Sequence, residues 1–126
     1  MILGLGIDTV SISRLEKLLA ARGDAFLRKV FSESEIEDGV KRGNKASFFA
    51  ARFAAREAFV KALGTGFRQG VSLHDIGVRK GALGKPEFSF SKKVEDTLRA
   101  KGIARCHLSI AHDGDSAQAI VILESA

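Results

Sequence analysis

Ser47-Phe-Phe-Ala-Ala-Arg-Phe-Ala-Ala-Arg-Glu-Ala-Phe-Val-Lys-Ala-Leu63 is the stretch on which the architecture turns. Its Ala, Arg, Glu and Lys content and the lack of any breaker predict a long helix, with Gly64 as the C′ stop. Phe49 and Phe53 stand four apart, as core residues of a helix do. Glu57 and Lys61 are also four apart and share a face. Alone, that pair reads as an ordinary surface ion pair. Two neighbouring features argue for more. The stripe continues through the small residues Ala50, Ala54 and Ala58, which would leave room for a ligand or another chain. Beyond it comes Gly64-Thr-Gly66, a loop running on to Gly70, whose free backbone groups can meet an anion.

Before this helix, Ile2 to Val10 reads as a strand: Leu3, Leu5 and Ile7 alternate with Gly4, Gly6 and Asp8. Ser13-Arg-Leu-Glu16 is a capping-box pattern, so a helix starting near Ser13 is expected, with Leu15, Leu18, Leu19 and Phe26 inward and Gly23 as an interruption. Ser32-Glu-Ser-Glu35 is a second box, and Phe31 with Ile36 has hydrophobic-staple spacing. After the long helix, Ile76–Val78 and Pro86–Phe90 predict two strands joined by a Gly81–Lys85 turn. Ser91 caps a helix with Val94 and Leu98 inward, stopped by Gly102. Arg105 to Ala111 alternates, with Cys106, Leu108 and Ile110 on one face and His107, Ser109 and Ala111 on the other. A turn at Asp113–Ser116 leads to a closing strand, Ala117–Leu123. The order of elements predicts a single α+β domain over residues 1–126, with a largely antiparallel sheet packed on a long central helix.

Composition narrows the function. At 126 residues, 45% hydrophobic and 28% charged, the chain is an ordinary globular one. No apolar run reaches the ~20 residues that span a bilayer. The amino terminus lacks the basic segment and cleavage site of a secretory signal, and the one cysteine, Cys106, has no partner. A cytoplasmic protein is expected. The net charge of +5 favours anionic partners without naming them. With no Trp and no Tyr, base stacking would fall to phenylalanines, most of which have core spacing.

Asp8 ends an otherwise apolar strand, and burying it is costly unless it is paired or bound to a metal; a turn aspartate is the plainer alternative. Asp8 and Glu57 together would offer two hard oxygen donors. That is too few for a Ca²⁺ cage but suits Mg²⁺, which keeps waters and takes substrate phosphates. His107 reads equally as a structural hydrogen-bonder. Ser109 lies on no Gly-x-Ser-x-Gly elbow, and Gly4-Leu-Gly6 lacks the third glycine of a dinucleotide fingerprint.

Several blocks converge on one family. Gly6-Ile-Asp8 with Arg14, then Arg52-Phe-Ala-Ala-Arg-Glu-Ala-Phe-Val-Lys61-Ala-Leu-Gly64-Thr-Gly66, then Gly84-Lys-Pro86, then His107-Leu-Ser109-Ile-Ala-His112 resemble the holo-acyl-carrier-protein synthase family, the small bacterial-type 4′-phosphopantetheinyl transferases. The central block is the specific one, and the resemblance runs nearly end to end. It implies transfer of 4′-phosphopantetheine from coenzyme A to a serine of an apo-acyl carrier protein, in support of fatty acid biosynthesis, with release of adenosine 3′,5′-bisphosphate. By position, Asp8 and Glu57 would hold Mg²⁺, and Lys61 would meet the coenzyme A diphosphate. Arg52, Gly64, Lys85, His107 and Ser109 would contact coenzyme A, with Pro86 shaping its adenine side. Arg14, Leu18, Arg22, Phe26 and Lys29 would receive the acidic carrier protein. The family also implies a homotrimer with sites between subunits. Two departures stand out: Arg56 where Lys is usual, a tolerable change if the group is exposed, and Ala111 where Ser or Thr is usual. The rival expectations are a basic nucleic-acid-binding module and a carrier-protein adaptor without turnover; the presence of both Asp8 and Glu57 speaks against the adaptor.

Overall fold

The structure, a computed structural model, describes residues 1–66 and 70–126. Part of the expected loop from Gly64 to Gly70 therefore lies outside the described residues. Strand β1 (Ile2–Ser11) leads into α1 (Ile12–Val30), α2 (Glu33–Val40) and the long α3 (Lys45–Leu63). A short 3₁₀ turn at Leu73–Asp75 precedes β2 (Ile76–Lys80) and β3 (Pro86–Phe90), followed by α4 (Lys92–Ala100), β4 (Ile103–Asp113) and β5 (Ser116–Ser125). All strand pairs are antiparallel, and they fall into two sheets: β1-β5-β4, and the β2-β3 hairpin.

Helix α3 lies directly on the three-stranded sheet, and two glycines of β1 allow it. A Cβ at Gly4 would collide with the Ala62 carbonyl oxygen, and one at Gly6 with that of Ala58. The small-residue stripe completes the contact: Ala50, Ala54 and Ala58 are fully buried. This overturns the expectation that these alanines leave room for a ligand or a second chain. They are small because the helix backbone sits close to its own sheet. β1 consequently turns Gly4, Gly6, Asp8 and Val10 inward and Leu3, Leu5 and Ile7 out.

Two apolar clusters flank α3. Phe59, Ile76, Val94, Val121 and Leu123 fill the first, between α3, the hairpin, α4 and the sheet. Leu15, Leu27, Phe31, Phe48 and Phe49 fill the second, between α1, α2 and the start of α3, with the Phe31 and Phe49 rings 4.9 Å apart. Burying each of these phenylalanines contributes roughly 1.5–3 kcal/mol.

Local signals act mostly as read. Ser32 and Glu35 form their capping box, Ser91 caps α4, and Gly64 ends α3 at φ 77°. The start of α1 differs. Its N-cap is Ser11, whose Oγ accepts from the Arg14 N–H at 3.2 Å. Ser13 instead donates through its N–H and Oγ to Asp115, at 2.9 and 2.7 Å. The strand continues one residue past its apolar pattern, and the β4–β5 turn supplies the acid that the Ser13 box expected from Glu16. Gly23 (φ 49°, ψ −126°) breaks α1.

Arg56 corrects another expectation. It is fully buried, bidentate on Glu35, with its Nε donating to the Leu73 carbonyl at 3.0 Å and its guanidinium over the Phe31 ring. The pair ties α2 and the Leu73–Asp75 turn to α3, and leaving Glu35 unpaired there would cost about 3–5 kcal/mol.

Candidate active site

Asp8 is the last inward-facing residue of β1 before Val10, and the two preceding inward positions are glycines. That geometry brings its carboxylate to the C-terminal half of α3. There the Lys61 ammonium donates to Asp8 Oδ1 at 2.9 Å and to the Ile7 carbonyl at 3.0 Å. The surface pair between Glu57 and Lys61 is thus not formed; the lysine spans from α3 to β1. Glu57 lies one turn earlier on the same face of α3, half-buried. Its pKa is raised, first by burial and then by the negative charge of Asp8, with Lys61 pulling the other way. Burial raises a carboxylate because it disfavours the charged form, and a like charge does the same.

A cavity of about 530 Å³ gathers these groups: Asp8 and Glu57 line it together with Arg14, Leu18 and Phe53. Two acids offset by one lysine form a cation-seeking centre. Among the described residues no group of three or more His, Cys, Asp or Glu is arranged to hold a metal ion, so a divalent ion held here would complete its shell from water and substrate oxygens. The donor set fits Mg²⁺.

Arg14 and Leu18 lie in this cavity, and exposed Arg22 and Lys29 continue along α1 beyond it. Phe26 is half-buried against Phe31 and Phe53, each with ring centroids 6.0 Å away. Gly23 separates Arg14, Leu18 and Arg22 from Phe26 and Lys29.

A second cleft, again about 530 Å³, lies between the hairpin, α4 and β4, and Lys85, Pro86 and His107 line it. Arg52 lies in neither. Its guanidinium stacks 3.8 Å from the centre of the Phe48 ring, burial lowers its pKa, and its buried Nε has no hydrogen-bond partner among the described residues. Gly64 sits at the end of α3, its N–H on the Val60 and Lys61 carbonyls. Ser109 is exposed on the outer face of the sheet, level with Ile120 of β5 and Ile7 of β1. Leu3, Leu5, Ile7 and Ile120 are 39–62% exposed on this face, although they are large and apolar. One copy of the chain therefore brings Asp8, Glu57, Lys61, Arg14 and Leu18 together, and separately Lys85, Pro86 and His107.

Sequence reasoning missed Phe53 as a wall of the acidic cavity, having read it only as core. It also missed Glu124, whose Oε1 lies 2.9 Å from His107 Nε2. The alternation of β5 could have placed Glu124 on one face, but its neighbour depends on a strand register absent from the sequence. No described phenylalanine is among the exposed large hydrophobics, which leaves the nucleic-acid reading without a stacking platform among the described residues. No described helix is long and apolar enough to cross a membrane.

Comparison with known proteins bears on the family and the fold. Residues 4–120 match the 4′-phosphopantetheinyl transferase superfamily. A holo-[acyl-carrier-protein] synthase of Trichlorobacter lovleyi is 48% identical over 125 residues, covering 99% of each chain. The crystal structure of a holo-[acyl-carrier-protein] synthase from Neisseria meningitidis superposes with a TM-score of 0.93 at 39% identity, over 99% of this chain and 100% of that one. A Bacillus anthracis holo-(acyl-carrier-protein) synthase in complex with CoA (3′,5′-ADP) follows at 0.81 and 38%, over 100% and 99%. A match that spans nearly every element, including the strand bearing Asp8 and the helix bearing Glu57 and Lys61, leaves one conclusion: the chain belongs to the 4′-phosphopantetheinyl transferase superfamily.

Proposed function

We propose that this chain is a Mg²⁺-dependent holo-acyl-carrier-protein synthase, one transferase domain over residues 1–126, acting in the cytoplasm on coenzyme A and an apo-acyl carrier protein. The observation that carries the proposal is the meeting of Asp8 and Glu57 in one cavity with Lys61 between strand and helix.

Asp8 and Glu57 would hold the ion. Bound there, Mg²⁺ supplies charge neutralisation to a diphosphate. The carrier serine oxygen attacks the β-phosphorus of coenzyme A, forming the new P–O bond, while the bond to the bridging oxygen breaks and adenosine 3′,5′-bisphosphate departs. The serine proton passes to Glu57, the cavity carboxyl whose burial and neighbouring Asp8 raise its pKa. Lys61 offsets charge on the leaving phosphate; in the free protein its ammonium is held by Asp8. Phosphoryl transfer asks for positioning and charge stabilisation more than covalent help, which matches a site of two acids and a lysine.

Arg14, Leu18, Arg22, Phe26 and Lys29 offer the acidic carrier a basic surface with apolar contacts beside that cavity. Arg52, Gly64, Lys85, Pro86, His107 and Ser109 are the proposed coenzyme A contacts. Their separation within one copy, together with the bare apolar face of Leu3, Leu5 and Ile7, supports a homotrimer in which the cleft of one subunit meets the acidic cavity of the next. The lone cysteine, free and half-buried, suits a reducing cytoplasm.

Mass spectrometry tests the function. With coenzyme A and Mg²⁺, an apo-acyl carrier protein gains the mass of one phosphopantetheine group. Carriers that stay unchanged, while a control transferase modifies them, would overturn the proposal.

A further inference from the structure

Glu124, near the end of β5, is partly exposed and does not line the acidic cavity. Its Oε1 accepts from Arg105 Nε at 3.0 Å and meets His107 Nε2 at 2.9 Å, while Arg105 Nη2 donates to the Ser125 carbonyl at 3.2 Å. Arg105 and Glu124 are register partners, and His107 lies diagonally across, two residues along β4. Three side chains from two strands thus share one carboxylate oxygen at the edge of the hairpin cleft.

The chemistry of that oxygen decides the state of the ring. Hydrogen bonds from Arg105 and then His107 hold the Glu124 carboxyl down at about 2, so it is ionised at neutral pH. An ionised carboxylate only accepts hydrogen bonds, so His107 must carry its proton on Nε2. With Nε2 committed, Nδ1 is the ring nitrogen left to face a ligand. The charged groups lining the cleft are Arg79, Lys85, Glu87, Glu95 and Arg99; Arg79 is already paired with Glu87 at 3.7 Å and Arg99 with Asp96 at 2.9 Å. Lys85 is therefore the cation best placed to meet a substrate anion, and His107 can offer Nδ1 as an acceptor to a substrate N–H or O–H beside it only if its ring is fixed.

We propose that Glu124 is the positioning residue for His107, locking its Nε2–H tautomer and ring orientation, with Arg105 steadying the carboxylate, so that Nδ1 faces the coenzyme A cleft. This rests on the proposed use of that cleft. Steady-state kinetics of the intact protein tests it. Glu124→Ala should raise KM for coenzyme A roughly tenfold while kcat stays within about twofold, the size of loss that removal of an orienting partner brings. Glu124→Gln, which keeps an oxygen acceptor, should recover most of it. In a His107→Ala background, Glu124→Ala should add nothing further. Losses that multiply, or a fall in kcat with KM unchanged, would overturn the proposal, and thermal unfolding of each variant checks that the fold is kept. Nitrogen-15 NMR of the imidazole reads the tautomer without any turnover. An Nε2–H tautomer in wild type that loses its preference in Glu124→Ala supports the proposal, and an Nδ1–H tautomer in wild type sinks it. Were wild type unable to modify a carrier, the proposed function would fall by itself, while the imidazole spectrum would still decide this point.

Discussion

The two faces of β1 are made of the same ten residues and obey opposite rules. The inner face, Gly4, Gly6 and Asp8, is nearly without apolar side chains yet is the one packed against α3. The outer face, Leu3, Leu5 and Ile7, is apolar yet open to solvent. Hydrophobicity alone would turn the strand over. Backbone proximity wins because the glycines let α3 approach until its carbonyl oxygens nearly touch the sheet, and that approach brings Lys61 within reach of Asp8. The inner face is explained within one chain, whereas the outer face is accounted for by the subunit contact proposed above.

Filling the inner face challenges this contrast most severely. Gly6→Val would drive its Cβ into the Ala58 carbonyl and force the helix off the strand. The expected cost is at least about 3 kcal/mol in denaturant unfolding, at the upper end of overpacking effects. A variant as stable as wild type would mean that the helix–sheet distance is soft.

Next in size is the acid at the end of that face. Asp8→Asn should lower the transfer rate by at least about a hundredfold, the loss expected if it removes one of the two carboxylates proposed to hold the ion, while leaving carrier docking on the surface proposed for it on α1 nearly intact. The same variant removes the like charge that lifts Glu57. Because burial remains and Lys61 still pulls downward, the pKa of Glu57 should fall part of the way toward its usual value. Carbon-13 NMR titration of the Glu57 carboxyl reads that shift. In the metal-free wild type, the raised pKa means that Glu57 loses its charge at a higher pH than an ordinary glutamate as pH falls, and the same titration reads it. An unmoved Glu57 in Asp8→Asn would argue that the two acids are not neighbours.

The smallest effect on the isolated chain comes from the outer face. Leu5→Ser should change protomer stability by no more than about 0.5 kcal/mol, as exposed substitutions do, yet it should reduce the oligomer seen by analytical ultracentrifugation. Unaltered assembly would remove this face from the subunit contact.

How much could be read beforehand follows the same line between local and distant. The length of α3, its glycine stop, the Ser32 box, the hairpin and the alternation of β4 are set by neighbours a few residues apart, and each was legible. The convergence of Asp8 and Glu57 came from the family resemblance, since their approach depends on a helix crossing a strand some fifty residues earlier in the chain. The rest needed partners from further away still. Arg56 is buried because Glu35 comes from another helix, Ser11 caps α1 with Asp115 from the final turn nearby, and His107 meets Glu124 only through strand register. Periodicity revealed two faces of β1 but not which one met the helix, because glycine leaves no hydropathy signature.

The break at Gly23 has a bearing on how the basic surface of α1 exists at all. Each piece on either side is shorter than the ~12 residues at which even a good helix-forming peptide begins to hold its shape in water. Its coiling is lent by Phe31, Phe49 and their neighbours beneath it. A synthetic copy of residues 12–30 would therefore be a poor decoy for any protein that recognises this surface: the spacing between Arg14 and Lys29 belongs to the assembled fold and vanishes with it.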